Sequence, residues 1–152
     1  MDSDEAVRSR NKELIRNWFE EVWNEGNESA IDEMRAPDVL SFGLGESGAP
    51  AKAAEFKVFY HRMRAAIPDL HVTVEDVIAE GDKVVARISI EGTHCGAKLG
   101  VEATGKRVNV DGLIMARVRE GKIAETWTQF DKLALLKQVD AIPASSRDRF
   151  FE

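Results

Sequence analysis

Between Leu14 and Trp23 the apolar residues recur at helical spacing: Leu14, Ile15, Trp18, Phe19, Val22 and Trp23, separated by Glu, Lys, Arg and Asn. That period predicts an amphipathic helix with its apolar stripe on a core. Gly26 fits its C-terminal stop. A short second helix is expected at about Ser29–Met34, with Ser29 as its cap and Pro37 beyond its end. "VLSF" (39–42) reads as a short strand, and "GLGESGAP" (43–50) as a loop. A third helix is expected from about Ala51 to Ala66. Phe56, Phe59, Tyr60, Met63 and Ile67 share one of its faces, and Pro68 ends it. Residues 1–6 and 145–152 read as loose ends.

From Leu70 onward the period falls to two. "LHVTVEDVIA" and "KVVARISIEGTH" flank "EGDK", a two-residue hairpin turn centred on Gly81-Asp82. "RVNVDGLIMARV" and "KIAETWTQF" flank "REGK", a second such turn at Glu120-Gly121. A last helix, "KLALLKQV", ends before Pro143. Helices, then a run of antiparallel strands, then a helix make an α+β domain with helices on one face of a sheet.

Strand alternation assigns faces. With tight turns, Val84, Ala86, Ile88, Ile90 and His94 share the side toward the helices, while Arg87, Ser89, Glu91 and Thr93 share the other. Asp76 and Arg87 are expected to pair across strands on that outer side. In the second hairpin Val110, Gly112, Ile114 and Ala116 group with Glu125, Trp127, Gln129 and Asp131. Asp131 then lies opposite Val110, on a side lined by Ile114 and Trp127. A carboxylate in such surroundings is costly to ionise, so its pKa should rise, which suits a general acid or base. A single bulge would exchange these faces.

Composition narrows the class. The 152 residues suit one domain, 1–152 with its core at about 8–143. A chain of this size buries roughly 68–70% of its unfolded surface, so a full apolar core needs neither disulfide nor metal. The net charge of −6 argues against nucleic acid and anionic membrane as partners. Cys95 is the single cysteine, which excludes a disulfide framework and suits a cytoplasmic setting. The charged N-terminus does not read as a signal peptide, and no apolar run approaches a membrane span. The three histidines lack metal-ligand spacing, so no metal is expected. His61 and His71 are expected to face solvent or a structural partner. The glycines of "GTHCGAKLGVEATGK" lack the P-loop order and read as an inter-strand loop.

The segments "FEEVWNEGN", "APDV", "IPDLHVTVEDVIAEGDKVVARISIEGTH", "GKRVNVDG", "REGKIAETWTQFD" and "LLKQVD", spanning about Asn11 to Val139, resemble the SnoaL-like polyketide cyclase family. That family lies within the nuclear transport factor 2-like superfamily. The resemblance implies a cystatin-like α+β barrel: a curved antiparallel sheet forming a cone around N-terminal helices. It also implies an enclosed hydrophobic pocket and a homodimer through the outer sheet face. The implied chemistry is intramolecular aldol ring closure without metal or organic cofactor. The family's aspartate, in a W-x-x-x-D segment, falls on Trp127 and Asp131. After "APD" this chain departs from a frequent pattern, placing Ser41 and Phe42 where relatives carry a polar or histidine residue.

The candidate catalytic residues are therefore Asp131, as acid/base, and His94, as a donor to a substrate oxygen. Each has a structural alternative: Asp131 as N-cap of the last helix, His94 as a strand-end histidine bonded to backbone. The candidate pocket takes Trp18, Trp23 and Phe59 from helices and Phe42 from the first strand. Ile90, Val110, Ile114, Trp127 and Gln129 come from the hairpins. Two classes of function follow. One is a cofactor-independent cyclase or isomerase acting on a polyketide-like or other hydrophobic carbonyl compound. The other is a non-catalytic module that holds a small apolar ligand or serves dimerisation. An epoxide hydrolase on the same fold would need two carboxylates and an arginine converging. Glu125 and Asp131 share a predicted face, with no arginine placed beside them.

Overall fold

The computed structural model describes residues 3–45, 48–96 and 102–142. The expected loose end at 145–152 lies outside them, as do residues 46–47 and 97–101 of the two expected loops.

The first helix, α1 (Asp4–Trp18), starts earlier than expected. Ser3 Oγ accepts the Ala6 N–H at 3.1 Å, and Asp4 and Glu5 occupy the first turn, so residues 4–6 are helical. From Phe19 to Asn24 the chain continues as a π-helical turn, with Glu25 N–H bonded to Glu20 C=O at 2.8 Å. The wider bond spacing brings residues five apart onto one side, so Trp18 and Trp23 face the same interior. α2 spans Ser29–Met34 as expected. Ser29 is not its cap: Glu28 holds that position, and the Ser29 hydroxyl donates to Asn27 Oδ1 at 2.7 Å.

β1 runs Arg35–Phe42, four residues longer than "VLSF". Pro37 is tolerated because β1 is an edge strand, where a missing N–H breaks no ladder. α3 (Ala53–Ala66) begins two residues later than expected, since Ala51 is engaged in a two-bond bridge with Ser41. β2 (His71–Glu80), β3 (Lys83–Thr93), β4 (Arg107–Arg119) and β5 (Lys122–Phe130) are the predicted strands, and both turns have two residues. Glu120 (φ 51°) and Gly121 (φ 75°) are both left-handed, the signature of a type I′ hairpin. α4 is Lys132–Gln138.

The open, curved sheet has the order β1-β5-β4-β3-β2. It is antiparallel except at β1, which runs parallel to β5. One face packs on α1, the π turn and α3. There the even-numbered residues of β4, from Val108 to Val118, are all buried, as are Val84, Ala86 and Ile88 of β3. Parity therefore holds for β3 and β4. It fails for β5. Val118 pairs with Ile123 but Arg117 pairs with Glu125, so Ala124 is an extra residue in a β-bulge. Beyond the bulge Thr126, Thr128 and Phe130 look inward, opposite Ala116, Ile114 and Gly112. Glu125, Trp127 and Gln129 look outward, the reverse of the expected grouping.

Candidate functional site

The interior between sheet and helices contains a cavity of about 70 Å³. On a scale where one water takes roughly 10–15 Å³, it admits a small organic group. Its wall is almost wholly apolar. The helices and π turn contribute Trp18, Phe19, Trp23, Phe56, Phe59 and Met63; the sheet contributes Val72, Ile88, Ile90, Ile114 and Phe130. Leu44 closes it from the loop after β1. That loop is pinned to β5 by Gly43 (φ 86°): a side-chain carbon there would meet Thr128 C=O at 2.1 Å, so only glycine fits.

Among the described residues three polar ones share this wall: Thr126 and Thr128 of β5, and Arg35 of β1. Arg35 is only 3% exposed. Its Nη2 donates to Ser41 Oγ, and Ser41 neighbours Thr126 across the β1–β5 pair. Its Nε and Nη1 have no hydrogen-bond partner among the described residues. The guanidinium carbon lies 4.1 Å from the Phe56 ring centre and 5.5 Å from that of Trp18, a cation–π arrangement that offsets part of the burial cost. The nearest acidic influence is Asp32, whose exposed carboxylate takes Lys57 Nζ at 2.6 Å. Burial lowers the Arg35 pKa to about 10, and Asp32 raises it in part. The group is still cationic at neutral pH.

Arg35 is the functional candidate that sequence reading missed. Between a helix end and "APDV" an arginine reads as surface. One signal was available: Arg35 follows Ile31 by four residues, which continues the buried side of α2.

The predicted site residues divide. Trp18, Trp23, Phe59, Ile90 and Ile114 line the cavity. Val110 is buried at 5% exposure but is not part of the wall. Phe42, Trp127 and Gln129 are corrected: the bulge at Ala124 turns Trp127 and Gln129 to the outer face. There Phe42 stacks on Trp127 with ring centres 5.7 Å apart and planes 6° from parallel. Asp131 is corrected in its placement. It is exposed, and its Oδ1 accepts the Ala134 N–H at 2.9 Å as the N-cap of α4, so the apolar surroundings expected of it are absent.

His94 is fully buried on the inner side, as parity predicts, but is not part of the cavity wall. Its Nδ1 sits 3.0 Å from Thr104 Oγ1 and accepts the Thr104 N–H at 3.4 Å, while Nε2 has no partner among the described residues. Glu125 turns outward to Arg117 at 3.0 Å, and among the described residues no carboxylate is part of the cavity wall, so no carboxylate pair of the kind an epoxide hydrolase needs is assembled among them.

The remaining surface expectations are met. Asp76 and Arg87 pair at 2.7 Å, His61 Nε2 meets Glu28 Oε1 at 2.9 Å, and His71 is exposed. Among the described residues no cluster of three or more His, Cys, Asp or Glu is arranged to hold a metal, and no helix is long and apolar enough to cross a membrane.

Comparison with known proteins adds a lineage to this geometry. The family model described as SnoaL-like polyketide cyclase matches residues 13–139. No curated protein gives a significant match. Among solved structures, the chain is similar to AclR, a proposed hydroxylase from Streptomyces galilaeus. The two are 27% identical with a TM-score of 0.81, over 90% of this chain and 88% of that one. It is also similar to IdmH, a proposed polyketide cyclase from Streptomyces antibioticus, at 31% identity and a TM-score of 0.76, over 86% and 98% of the two chains. A SnoaL-like polyketide cyclase homologue from Jannaschia sp. CCS1 shares the fold, with a TM-score of 0.82 at 24% identity over 94% and 100%.

Proposed function

Because the chain belongs to the SnoaL-like polyketide cyclase family, we propose that it is a cofactor-independent cyclase or isomerase acting on a polyketide-like or other apolar carbonyl compound. The observation that carries this reading is the Arg35 guanidinium, buried in the wall of an apolar chamber with two nitrogens unpartnered among the described residues. Enolisation and aldol closure both build negative charge on a carbonyl oxygen. A fixed cation in a dry site stabilises that charge far more than water-exposed lysine would. The carbon between two carbonyls of a polyketide chain is acidic enough to lose its proton to solvent before entry. The enolate carbon then bonds to a further carbonyl carbon as that C=O π bond breaks, and the resulting alkoxide takes a proton back from solvent, so no strong protein base is needed. Asp131, engaged at the start of α4, is therefore not given the acid/base role in this mechanism.

A linear aryl 1,3,7-triketone, such as 1-phenyloctane-1,3,7-trione, provides the test, because its acidic C2 can close on the C7 carbonyl into a six-membered ring. The protein is expected to accelerate its cyclisation, followed by chromatography, and Arg35→Met to lose about 10²–10³-fold of that rate. No acceleration by the wild type, or a full rate in Arg35→Met, would refute the reading.

A second reading keeps the chamber as a site that only holds a ligand. It is favoured by the capping bond of Asp131 and by the absence of carboxylates from the cavity wall among the described residues. Tight binding of the triketone with no turnover would select it.

The same proposal includes a homodimer through the outer sheet face, in a cytoplasmic setting. Supporting the dimer, Ile78, Val85, Met115, Trp127 and Phe42 are successive register partners and form one apolar row across all five strands. A monomer by light scattering at micromolar concentration would count against the dimer.

A further inference from the structure

We propose that the chamber is an anion-selecting site: its preferred ligand is a small apolar molecule carrying one delocalised oxyanion, a carboxylate or a preformed enolate, which pairs with Arg35. This deepens the proposed function and rests on the same chamber. It goes further in placing the negative charge on the ligand before any reaction.

The argument begins with charge. A cation this deeply buried is normally matched by an ionised partner or a full set of acceptors. Arg35 has neither among the described residues. Ser41 Oγ takes one nitrogen, leaving Nε with one N–H and Nη1 with two. Asp32 acts only through space, and Lys57 already shares its charge. The Trp18 and Phe56 rings hold the guanidinium without accepting a conventional hydrogen bond.

The geometry of the wall sets the rest of the ligand. Arg35 and Ser41 are both on β1, and Ser41 is in register with Thr126. The polar corner is therefore confined to one edge of the sheet. Among the described residues, every other part of the lining except Thr128 is apolar. A molecule with one polar end and a hydrocarbon or aryl body satisfies both halves. A neutral carbonyl would fill the same volume while leaving the cation unneutralised. Arginine suits a planar oxyanion better than a lysine point charge, because its donors are fixed in a plane.

The test is a calorimetric titration of the intact protein with a matched set. 3-Phenylpropanoate supplies the carboxylate, 4-phenylbutan-2-one is its neutral isostere, and 1-phenylbutane-1,3-dione is titrated on both sides of its own enol ionisation. The carboxylate should bind at least about tenfold more tightly than the ketone, and Arg35→Met should lower carboxylate affinity about 10- to 100-fold. The ketone should change less than about threefold, since it makes no charge-assisted bond. Arg35→Lys, which keeps the charge, should retain a reduced preference and guards against a folding defect in the methionine variant. If the dione tightens only when ionised, the enolate is a competent source of the oxyanion; if it never tightens, the carboxylate alone is. Equal binding of acid and ketone, no binding of either, or a preference that survives in Arg35→Met would overturn the proposal. The triketone cyclisation judges the proposed reaction separately: turnover without anion preference sinks this inference alone, and anion preference without turnover sinks the cyclase reading alone.

Discussion

Arg35 and Asp131 make an instructive pair. The carboxylate stands at the end of β5, next to the cavity-lining Phe130, and sequence reasoning favours it for chemistry. In the folded chain it is exposed and bonded to the first turn of α4. The arginine looks ordinary in sequence and is buried against two aromatic rings, with two nitrogens unpartnered among the described residues. On the proposed reading, reactive potential comes from burial without a partner, rather than from residue type or place in a motif.

The largest expected effect breaks the arginine's half of the comparison at its support. Phe56 lies beneath the guanidinium, is 5% exposed and packs on Trp18 with ring centres 5.5 Å apart. Phe56→Ala should cost about 3–5 kcal/mol in denaturant unfolding.

Removing the arginine itself should act in the other direction. Replacing a buried, unmatched cation by a hydrophobic side chain of similar length leaves stability unchanged or raises it, by up to about 3 kcal/mol. The pH dependence has a definite sign. The folded-state pKa lies below the unfolded one, so the destabilisation is fully present at neutral pH and is relieved only as the pH rises through about 10. The gain in Arg35→Met should therefore be flat across neutral pH, and a large loss of stability would show that Arg35 is structural.

Asp131→Ala should cost about 1 kcal/mol through loss of the cap, whereas Asp131→Asn, an equally good cap, should be nearly neutral. A gain in stability on neutralising Asp131 would contradict its assignment as a cap.

The smallest effect concerns another carboxylate that serves structure. Asp69 Oδ1 accepts the Thr93 N–H at 2.6 Å, and Oδ2 accepts the Thr93 hydroxyl at 2.9 Å, tying the α3–β2 connection to the end of β3. The Thr93 backbone bond chiefly lowers its pKa, with Arg107 contributing last. Its contribution is present above the unfolded value and fades as pH falls through the folded one. Asp69→Asn should be slightly destabilised at pH 7, with the difference shrinking below about pH 4. A difference independent of pH would contradict the charge-based account.

The same pair marks how far sequence carried. Helical spacing locates α1 to α3, and the two turn signals place β2 to β5, because those periods express burial directly. Parity identifies the inner residues of β3 and β4, whose pairing runs without a break from Lys83–Arg117 to Thr93–Arg107. It inverts β5 because one extra residue, Ala124, leaves no mark in an alternating pattern except two adjacent apolar positions, Ile123 and Ala124. Both are buried. Asp131 followed β5 into the wrong environment for that reason. Arg35 was only faintly signalled, by its spacing from Ile31, for another reason: its full burial depends on β1 joining the sheet beside β5 in parallel, a long-range pairing that local pattern does not encode.

The central claim is that Arg35, and not Asp131, supplies the chemistry of the chamber. It is tested most directly by the triketone cyclisation rate of Arg35→Met beside that of Asp131→Asn. The account predicts a fall of about 10²–10³-fold in the arginine variant and a rate near wild type in the asparagine variant. A rate that survives in Arg35→Met and collapses in Asp131→Asn would contradict it.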